Sequence, residues 1–385
     1  MILRMRKVII NVSIIYFLLL TGYKLFSLYY PLYLNLKGIS LLGVGINYFF
    51  LYFSLGIFSL LFSFIRQVKP KRMIIVAISG YAIYSLGMIF VSSMTQFLIF
   101  QVLLGFFAGM FYVFARITIL EETKARASEY GYFYIAPIIS SLIAPIVGGI
   151  LIYFFGFFAA FVASIVIYLT GIIFTTINMN EFSIFERKRR FEIKDWSSIL
   201  FFFSILLVVG MYRAFFVLFL KGIGMNQDNI ILFILIVNAI LFTPLIISRK
   251  LFDKYSTREY ISIATIIYAF VTAVITFSSN VIIIFFLSLI QSFLFIFLAS
   301  QKSGWLSRMS IYKKEIAIID TCIESFGVAV GALISGYLIS SISFQYTFLI
   351  FSIFLIISTL IFYSRSHFTT TLFARLRGLS GLRPR

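Results

Sequence analysis

Long apolar segments are the feature that most restricts how this chain can fold. Twelve of them follow one another, each of roughly 20 or more residues, the length that crosses a bilayer as a helix. A helix is suited to that environment because it bonds its own backbone groups where water is absent. Hydrophobic residues also make up 62% of the chain, more than one soluble core would bury. The sequence therefore predicts an all-α integral membrane protein with twelve transmembrane helices.

The predicted spans form two sets of six on either side of a hydrophilic segment. The first set covers 8–35, 41–65, 73–92, 97–119, 131–153 and 157–178, and the second covers 198–220, 228–248, 260–279, 281–300, 316–341 and 345–364. We expect an N-terminal six-helix bundle at 1–178, a cytoplasmic linker at 179–197, a C-terminal six-helix bundle at 198–365 and a basic cytoplasmic tail at 366–385. The tail either lies on anionic headgroups or is disordered.

The basic residues lie in alternate loops between the predicted spans. Lys and Arg collect in alternate loops, such as Arg187–Arg190, whereas the opposite loops carry only Lys37 and Lys221. Because short cytoplasmic loops retain positive charge, both termini should be cytoplasmic in a multi-pass protein of the cell membrane. The net charge of +19 then needs no nucleic-acid partner, since the cations lie between apolar runs and not on one face of a soluble fold.

The residues available for chemistry are few. One cysteine, Cys322, and one histidine, His367, exclude a disulfide framework and a clustered Cys/His metal site. The chain has no phosphate-binding glycine loop followed by Lys-Ser/Thr, which argues against coupling to ATP. We therefore expect no enzyme activity and no cofactor, but movement of a solute. A channel or a lipid-translocating scaffold is the alternative from another class.

Internal similarity suggests a duplication. An offset of 187 residues aligns equivalent spans and equivalent basic loops of the two halves. The aligned pairs are Gly149 with Gly336, Leu151 with Leu338, Phe161 with Phe348, Arg126 with Lys313 and Lys71 with Arg258.

Three segments carry a resemblance to a known family. RKLFDKYSTR at 249–258 is similar to the loop motif Gly-x-Leu-x-Asp-Arg-x-Gly-Arg-Arg, FQVLLGFFAGMF at 100–111 to Arg-x-x-x-Gly-x-x-x-Gly, and SSLIAPIVGGIL at 140–151 to Gly-Pro-x-x-Gly-Gly. Residues 1–365 thus resemble the major facilitator superfamily. The resemblance implies two pseudo-symmetric six-helix bundles and a secondary transporter that works by alternating access.

Lys24 in span one and Arg213 in span seven occupy comparable depths. The resemblance implies that these spans line a central cavity, where two facing cations would favour an organic anion as substrate. The alternative is that one or both side chains extend to the headgroups. Neutral candidates for substrate binding, which could instead bridge helices, are Thr21, Asn47, Gln101, Asn238 and Gln291.

Asp320 and Glu324 lie four residues apart, on one face of span eleven. Glu324 is a candidate for proton coupling. Alternatively, either carboxylate bridges to Arg116 and gates the cytoplasmic side, or both are solvated at the helix end. Asp253 and Arg258 of the second loop motif are further gating candidates.

Pro145, Gly148 and Gly149 in span five predict close helix packing. The same element is common in exporters, so the alternative function is proton-coupled export of drugs or lipophilic compounds. Tyr29, Tyr30 and Tyr33, near the outer end of span one, predict an interfacial aromatic belt, with a substrate cage as the alternative. The expected partners are a small-molecule substrate, membrane lipid and a proton or counter-ion, and the expected state is a monomer.

Overall fold

The computed structural model describes residues 2–65, 67–122, 127–181, 184–185, 196–238, 240, 257–309 and 313–379. Twelve helices account for almost all of this described chain. They are α1 (Ile2–Ser27), α2 (Tyr30–Leu36), α3 (Leu41–Ser63), α4 (Pro70–Phe90), α5 (Met94–Glu122), α6 (Ala127–Asn178), α7 (Trp196–Gly222), α8 (Gln227–Asn238), α9 (Arg258–Phe277), α10 (Val281–Met309), α11 (Lys313–Ser341) and α12 (Phe344–Leu379). The predicted all-helical membrane fold is confirmed.

The helices reproduce the predicted spans with two differences: spans five and six are continuous, and span one is divided. Ten described segments are long and apolar enough to cross a bilayer, and one of these, Ile139–Asn178, has 40 residues, enough for two crossings. Gly156 interrupts it with a φ of 75°, between the predicted fifth and sixth spans. The first span is instead broken between α1 and α2, where Pro31 lies in the first turn of α2. Of the predicted eighth span, 239 and 241–248 lie outside the described residues.

The corner at Gly156 is apolar. Phe154 and Phe155 before it and Phe158 after it expose 68%, 71% and 63% of their surface. A left-handed φ suits glycine, which has no Cβ to clash with the backbone. Two spans are therefore joined by one residue among exposed aromatic rings.

Glycines set the closest helix contacts within the first half. A Cβ at Gly148 of α6 would lie 2.6 Å from the Cα of Leu25 in α1, and one at Gly105 of α5 would lie 2.6 Å from the carbonyl oxygen of Leu51 in α3. Apolar side chains give no preference for a neighbouring helix over lipid, so such backbone approach contributes much of the packing.

The two halves meet along α3 and α11. A Cβ at Gly45 of α3 would lie 2.6 Å from the carbonyl oxygen of Ala332 and 3.0 Å from the Cα of Gly336 in α11. Further along α3, a Cβ at Gly56 would lie 3.0 Å from the Phe326 ring. Small residues on both helices therefore let the halves touch through backbone.

A short ladder fastens the start of the linker to the first half. Strand β1 (Gln67–Val68), between α3 and α4, pairs antiparallel with β2 (Ile184–Phe185). Beside it, Glu181 forms salt bridges with Lys69 at 3.5 Å and with Arg72 at 2.6 Å. Desolvation raises the pKa of Glu181, but the charges of Arg72 and Lys69 outweigh it and keep that pKa below its ordinary value. We call this side of the molecule the linker end and the opposite side the far end.

The prediction of an aromatic belt at Tyr29, Tyr30 and Tyr33 is wrong. These side chains are buried, at 0%, 5% and 6% exposure. The Tyr29 hydroxyl donates to the Pro145 carbonyl oxygen at 3.0 Å and the Tyr33 hydroxyl donates to the Met88 carbonyl oxygen. Because the protein itself satisfies these hydroxyls, the rings need neither headgroups nor water.

The close approach at Gly148 predicts a stability difference within one helix. We expect Gly148→Ala to destabilise the protein by about 1–3 kcal/mol, because the new methyl group meets Leu25 backbone that cannot yield. Gly171→Ala is the matched control, since its Cβ would have its nearest contact at 3.6 Å. Thermal unfolding of the two purified variants tests this. Equal unfolding temperatures would contradict the proposed packing.

Candidate functional site

A set of ion pairs joins three helices of the second half. Lys302 of α10 contacts Asp320 at 2.9 Å and Glu324 at 3.0 Å, both on α11. The second carboxylate oxygen of Glu324 lies 3.6 Å from Arg213 of α7. The four-residue spacing along α11 directs both carboxylates to one face of that helix, as the sequence indicates.

Lys302 is the residue that the sequence reasoning missed. Its side chain is 7% exposed, which makes it the most deeply buried cation of these ion pairs. The predicted tenth span ended at residue 300, whereas α10 continues to Met309 and so includes Lys302. A signal was available, because two carboxylates inside a span require a cationic partner from a neighbouring helix.

Arg213 links this network to the first half. Its guanidinium lies 3.4 Å from the hydroxyl of Tyr52 in α3. It is also flanked by two aromatic rings, with centroids at 6.0 Å for Tyr52 and 5.8 Å for Phe295 of α10. Such rings attract a cation through their quadrupole without neutralising its charge. Arg213 keeps 32% of its side chain exposed, compared with 7% for Lys302.

Lys24 has a different environment from the other cations. Its ammonium donates a hydrogen bond to Ser141 of α6, next to the bond from Thr21 to Ser140 at 3.3 Å. Among the described residues no carboxylate lies within salt-bridge distance of Lys24.

The neutral candidates bond mainly within their own halves. Gln101 donates to Tyr30 and, at 3.2 Å, to the Tyr84 hydroxyl, while Gln291 donates to Thr272 at 2.8 Å. Both glutamines are almost fully buried. They connect helices of one bundle and do not join the ion pairs.

The two asparagines bond to helix backbone. Asn47 is fully buried and donates to the Gly43 carbonyl oxygen at 2.9 Å, and Asn238 donates to the Ile234 carbonyl oxygen at 2.8 Å. Each acceptor lies four residues earlier in the same helix. These bonds satisfy the amide nitrogens locally.

The gating candidates are distributed over several places. Arg116 of α5 donates to Thr321 of α11, so it bridges the two halves between the helices that were predicted to form the gate. The carboxylates of Asp320 and Glu324 contact Lys302. The Arg258 guanidinium lies 5.2 Å from the centroid of the Trp305 ring and 4.9 Å from that of Phe362. Asp253 lies outside the described residues.

The helix-packing candidates lie where α6 meets α1. Gly148 contacts the Leu25 backbone, and a Cβ at Gly149 would lie 2.6 Å from the Tyr29 hydroxyl. Pro145 supplies the carbonyl that accepts from the same hydroxyl. The three residues therefore bring α1 and α6 together beside Lys24.

Comparison with known proteins identifies the kind of fold. The sequence profile described as Major Facilitator Superfamily matches residues 12–310. No curated protein sequence matches the chain.

Several solved transporters share the architecture at low sequence identity. The nucleoside transporter NupG is 11% identical, with a TM-score of 0.69 over 93% of this chain and 98% of that one. A bacterial homologue of the human lysosomal transporter Spinster, in an inward-facing and occupied conformation, is 14% identical, with a TM-score of 0.71 over 94% and 96%. PepTSo, a POT family transporter, is 12% identical, with a TM-score of 0.74 over 95% and 98%. At these identities the likeness concerns the fold.

The burial of Lys302 predicts that its charge is needed for stability. We expect Lys302→Met to destabilise the protein by about 3–5 kcal/mol, because it leaves Asp320 and Glu324 without the cation that contacts both. Adding Asp320→Asn to this variant should recover part of the loss, since it removes one uncompensated charge.

Lys71→Met is the matched control, because Lys71 is a surface lysine that donates to the Thr176 carbonyl oxygen and has no carboxylate partner among the described residues. It should leave the unfolding temperature almost unchanged. Thermal unfolding in detergent tests the series. An equal response of Lys302→Met and Lys71→Met would show that Lys302 has no such role.

Proposed function

Because the chain belongs to the Major Facilitator Superfamily over residues 12–310, it is a multi-pass secondary transporter, and we propose that its substrate is an organic anion bound between Lys24 and Arg213. This assignment joins one cation from each half of the molecule. A solute that contacts both is held best when the halves approach each other, as alternating access requires.

The observation that carries the proposal is the state of Lys24. An ammonium inside a membrane protein ordinarily has an anionic partner, because an uncompensated charge there is costly. In the described chain Lys24 has a serine hydroxyl instead. An anionic substrate would supply the missing charge and would also pair with Arg213.

The surroundings of Arg213 favour an anion with an apolar body. The Tyr52 and Phe295 rings lie within 6.0 Å of the guanidinium, and Tyr48 stacks on Tyr52 with a centroid distance of 6.2 Å. The faces of these rings offer apolar contact area and cannot replace the hydration shell of a small inorganic ion. A carboxylate or phosphate attached to a carbon skeleton suits this lining better than an inorganic anion.

The orientation in the membrane follows from the basic loops. We propose that the linker end, which carries Lys69 and Arg72, is cytoplasmic and that the protein acts as a monomer in the cell membrane. Both termini then lie in the cytoplasm. Arg116, through its bond to Thr321 between the halves, belongs to the contact that opens when the site faces the cytoplasm.

The anion proposal predicts a charge requirement at residue 24. Benzoate, phenyl phosphate and succinate should raise the unfolding temperature of the purified protein saturably, whereas benzamide, phenol and succinamide should not. We expect Lys24→Gln to weaken anion binding by roughly 10- to 100-fold, the loss of one charge-assisted hydrogen bond, and Lys24→Arg to retain most of it.

Lys37→Gln is the control, since Lys37 is an exposed lysine at the far end that lies over the Tyr33 ring. It should bind the anions as the wild type does. Equal stabilisation by the neutral compounds, or unchanged anion binding in Lys24→Gln, would overturn the proposal. Saturable uptake of the same anions into proteoliposomes would separate a transporter from a channel.

A further inference from the structure

The carboxylate of Glu324 is divided between two cations of unequal accessibility. One oxygen lies 3.0 Å from the Lys302 ammonium, and the other lies 3.6 Å from the Arg213 guanidinium. Glu324 exposes 41% of its side chain, compared with 7% for Lys302. The Lys302 contact is therefore internal, whereas the Arg213 contact lies where a solute can reach it.

The two contacts also differ in strength. At 3.0 Å the pair with Lys302 is a charge-assisted hydrogen bond, whereas 3.6 Å is too long for a hydrogen bond and leaves mainly Coulomb attraction. The exposed contact with Arg213 is thus the weaker of the two. A competing anion could replace it while the bond to Lys302 stays intact.

We propose that Glu324 occupies the anion position on Arg213 in the empty transporter and that the incoming substrate anion displaces it. This inference rests on the proposed function, because it assigns a competitor to the same site. Arg213 exchanges one carboxylate for another anion, so its charge stays compensated throughout. The exchange needs no proton transfer.

Lys302 keeps the charge of Glu324 compensated when the substrate displaces it from Arg213. A carboxylate pushed away from Arg213 would otherwise be left uncompensated inside the membrane, which is costly. Lys302 already holds Glu324 at 3.0 Å and Asp320 at 2.9 Å, and it is anchored by burial. Glu324 can therefore release Arg213 without losing its cationic partner. Lys302 is a positioning residue that does not touch the substrate.

The competition has a consequence for affinity. A negative charge next to Arg213 weakens the attraction of that guanidinium for any other anion. The substrate consequently binds less tightly than two cations alone would hold it. For a transporter this is useful, because the solute has to leave on the opposite side.

The test is Glu324→Gln, which keeps the size of the side chain and removes its charge. We expect benzoate, phenyl phosphate and succinate to bind more tightly than to the wild type, on the order of tenfold, as measured by their concentration dependence in thermal unfolding. Succinate, with two charges, should gain more than benzoate. Asp228→Asn is the control, because it removes one negative charge from an exposed position in the first turn of α8 and should leave anion affinity unchanged.

A second variant covers the case in which Glu324→Gln fails to fold. Glu324→Asp keeps the charge but shortens the side chain, so it can stay with Lys302 while withdrawing from Arg213. It should tighten anion binding by a smaller factor. A merely structural role for Glu324 predicts the opposite, namely weaker binding and a lower unfolding temperature.

The outcomes separate the two proposals. If Lys24→Gln loses anion binding but neither Glu324 variant tightens it, the competitor is ruled out and the anion transporter stands. If no anion stabilises the wild type more than its neutral counterpart, the anion site is wrong and the competitor falls with it. Tightening in Glu324→Gln, with Asp228→Asn unchanged, supports the competitor.

Discussion

Few charged groups can be kept inside a bilayer, and those of this chain determine its organisation. Burying an ion inside the membrane costs roughly several kcal/mol of free energy unless an opposite charge compensates it. Such compensation exists between α10 and α11, where Lys302 forms ion pairs with Asp320 and Glu324. Among the residues that the structure describes, Lys24 has a serine hydroxyl as its hydrogen-bond partner and no carboxylate. The solute site proposed above rests on this contrast between a compensated cluster and a cation that has no carboxylate partner in the described part of the chain.

Backbone contact between small residues holds the remainder together. Gly148 against Leu25 brings α6 onto α1, and Gly45 against Ala332 brings α3 onto α11. The first contact lies within one half and the second lies between the halves. Since neither depends on interlocking large side chains, helices in such contacts can slide or tilt without first withdrawing a large group. A molecule whose halves move against each other benefits from this kind of interface.

Much of the fold could be predicted because length and apolarity alone decide which segments cross the membrane. The separation of spans five and six was predicted and occurs at Gly156. The helix face that each side chain occupies could not be predicted, because nearly every residue of a span is apolar and lipid and protein neighbours look alike in sequence. The tyrosines of span one were therefore assigned to the interface although they are buried, and Lys302 was left outside a helix that continues past it. Pairing across helices, such as that of Glu324 with Lys302, requires the three-dimensional arrangement.

The corner at Gly156 bears on how the protein reaches the membrane. Because one residue connects the two crossings, no loop is long enough to let them insert separately. We expect them to enter the bilayer together as a helical hairpin. The tip of that hairpin carries Phe154, Phe155 and Phe158 at its surface and no charged side chain. Aromatic rings are stable at headgroup depth. Insertion of this hairpin therefore carries no hydrophilic loop through the hydrocarbon, and its tip can remain within the interface instead of emerging into water.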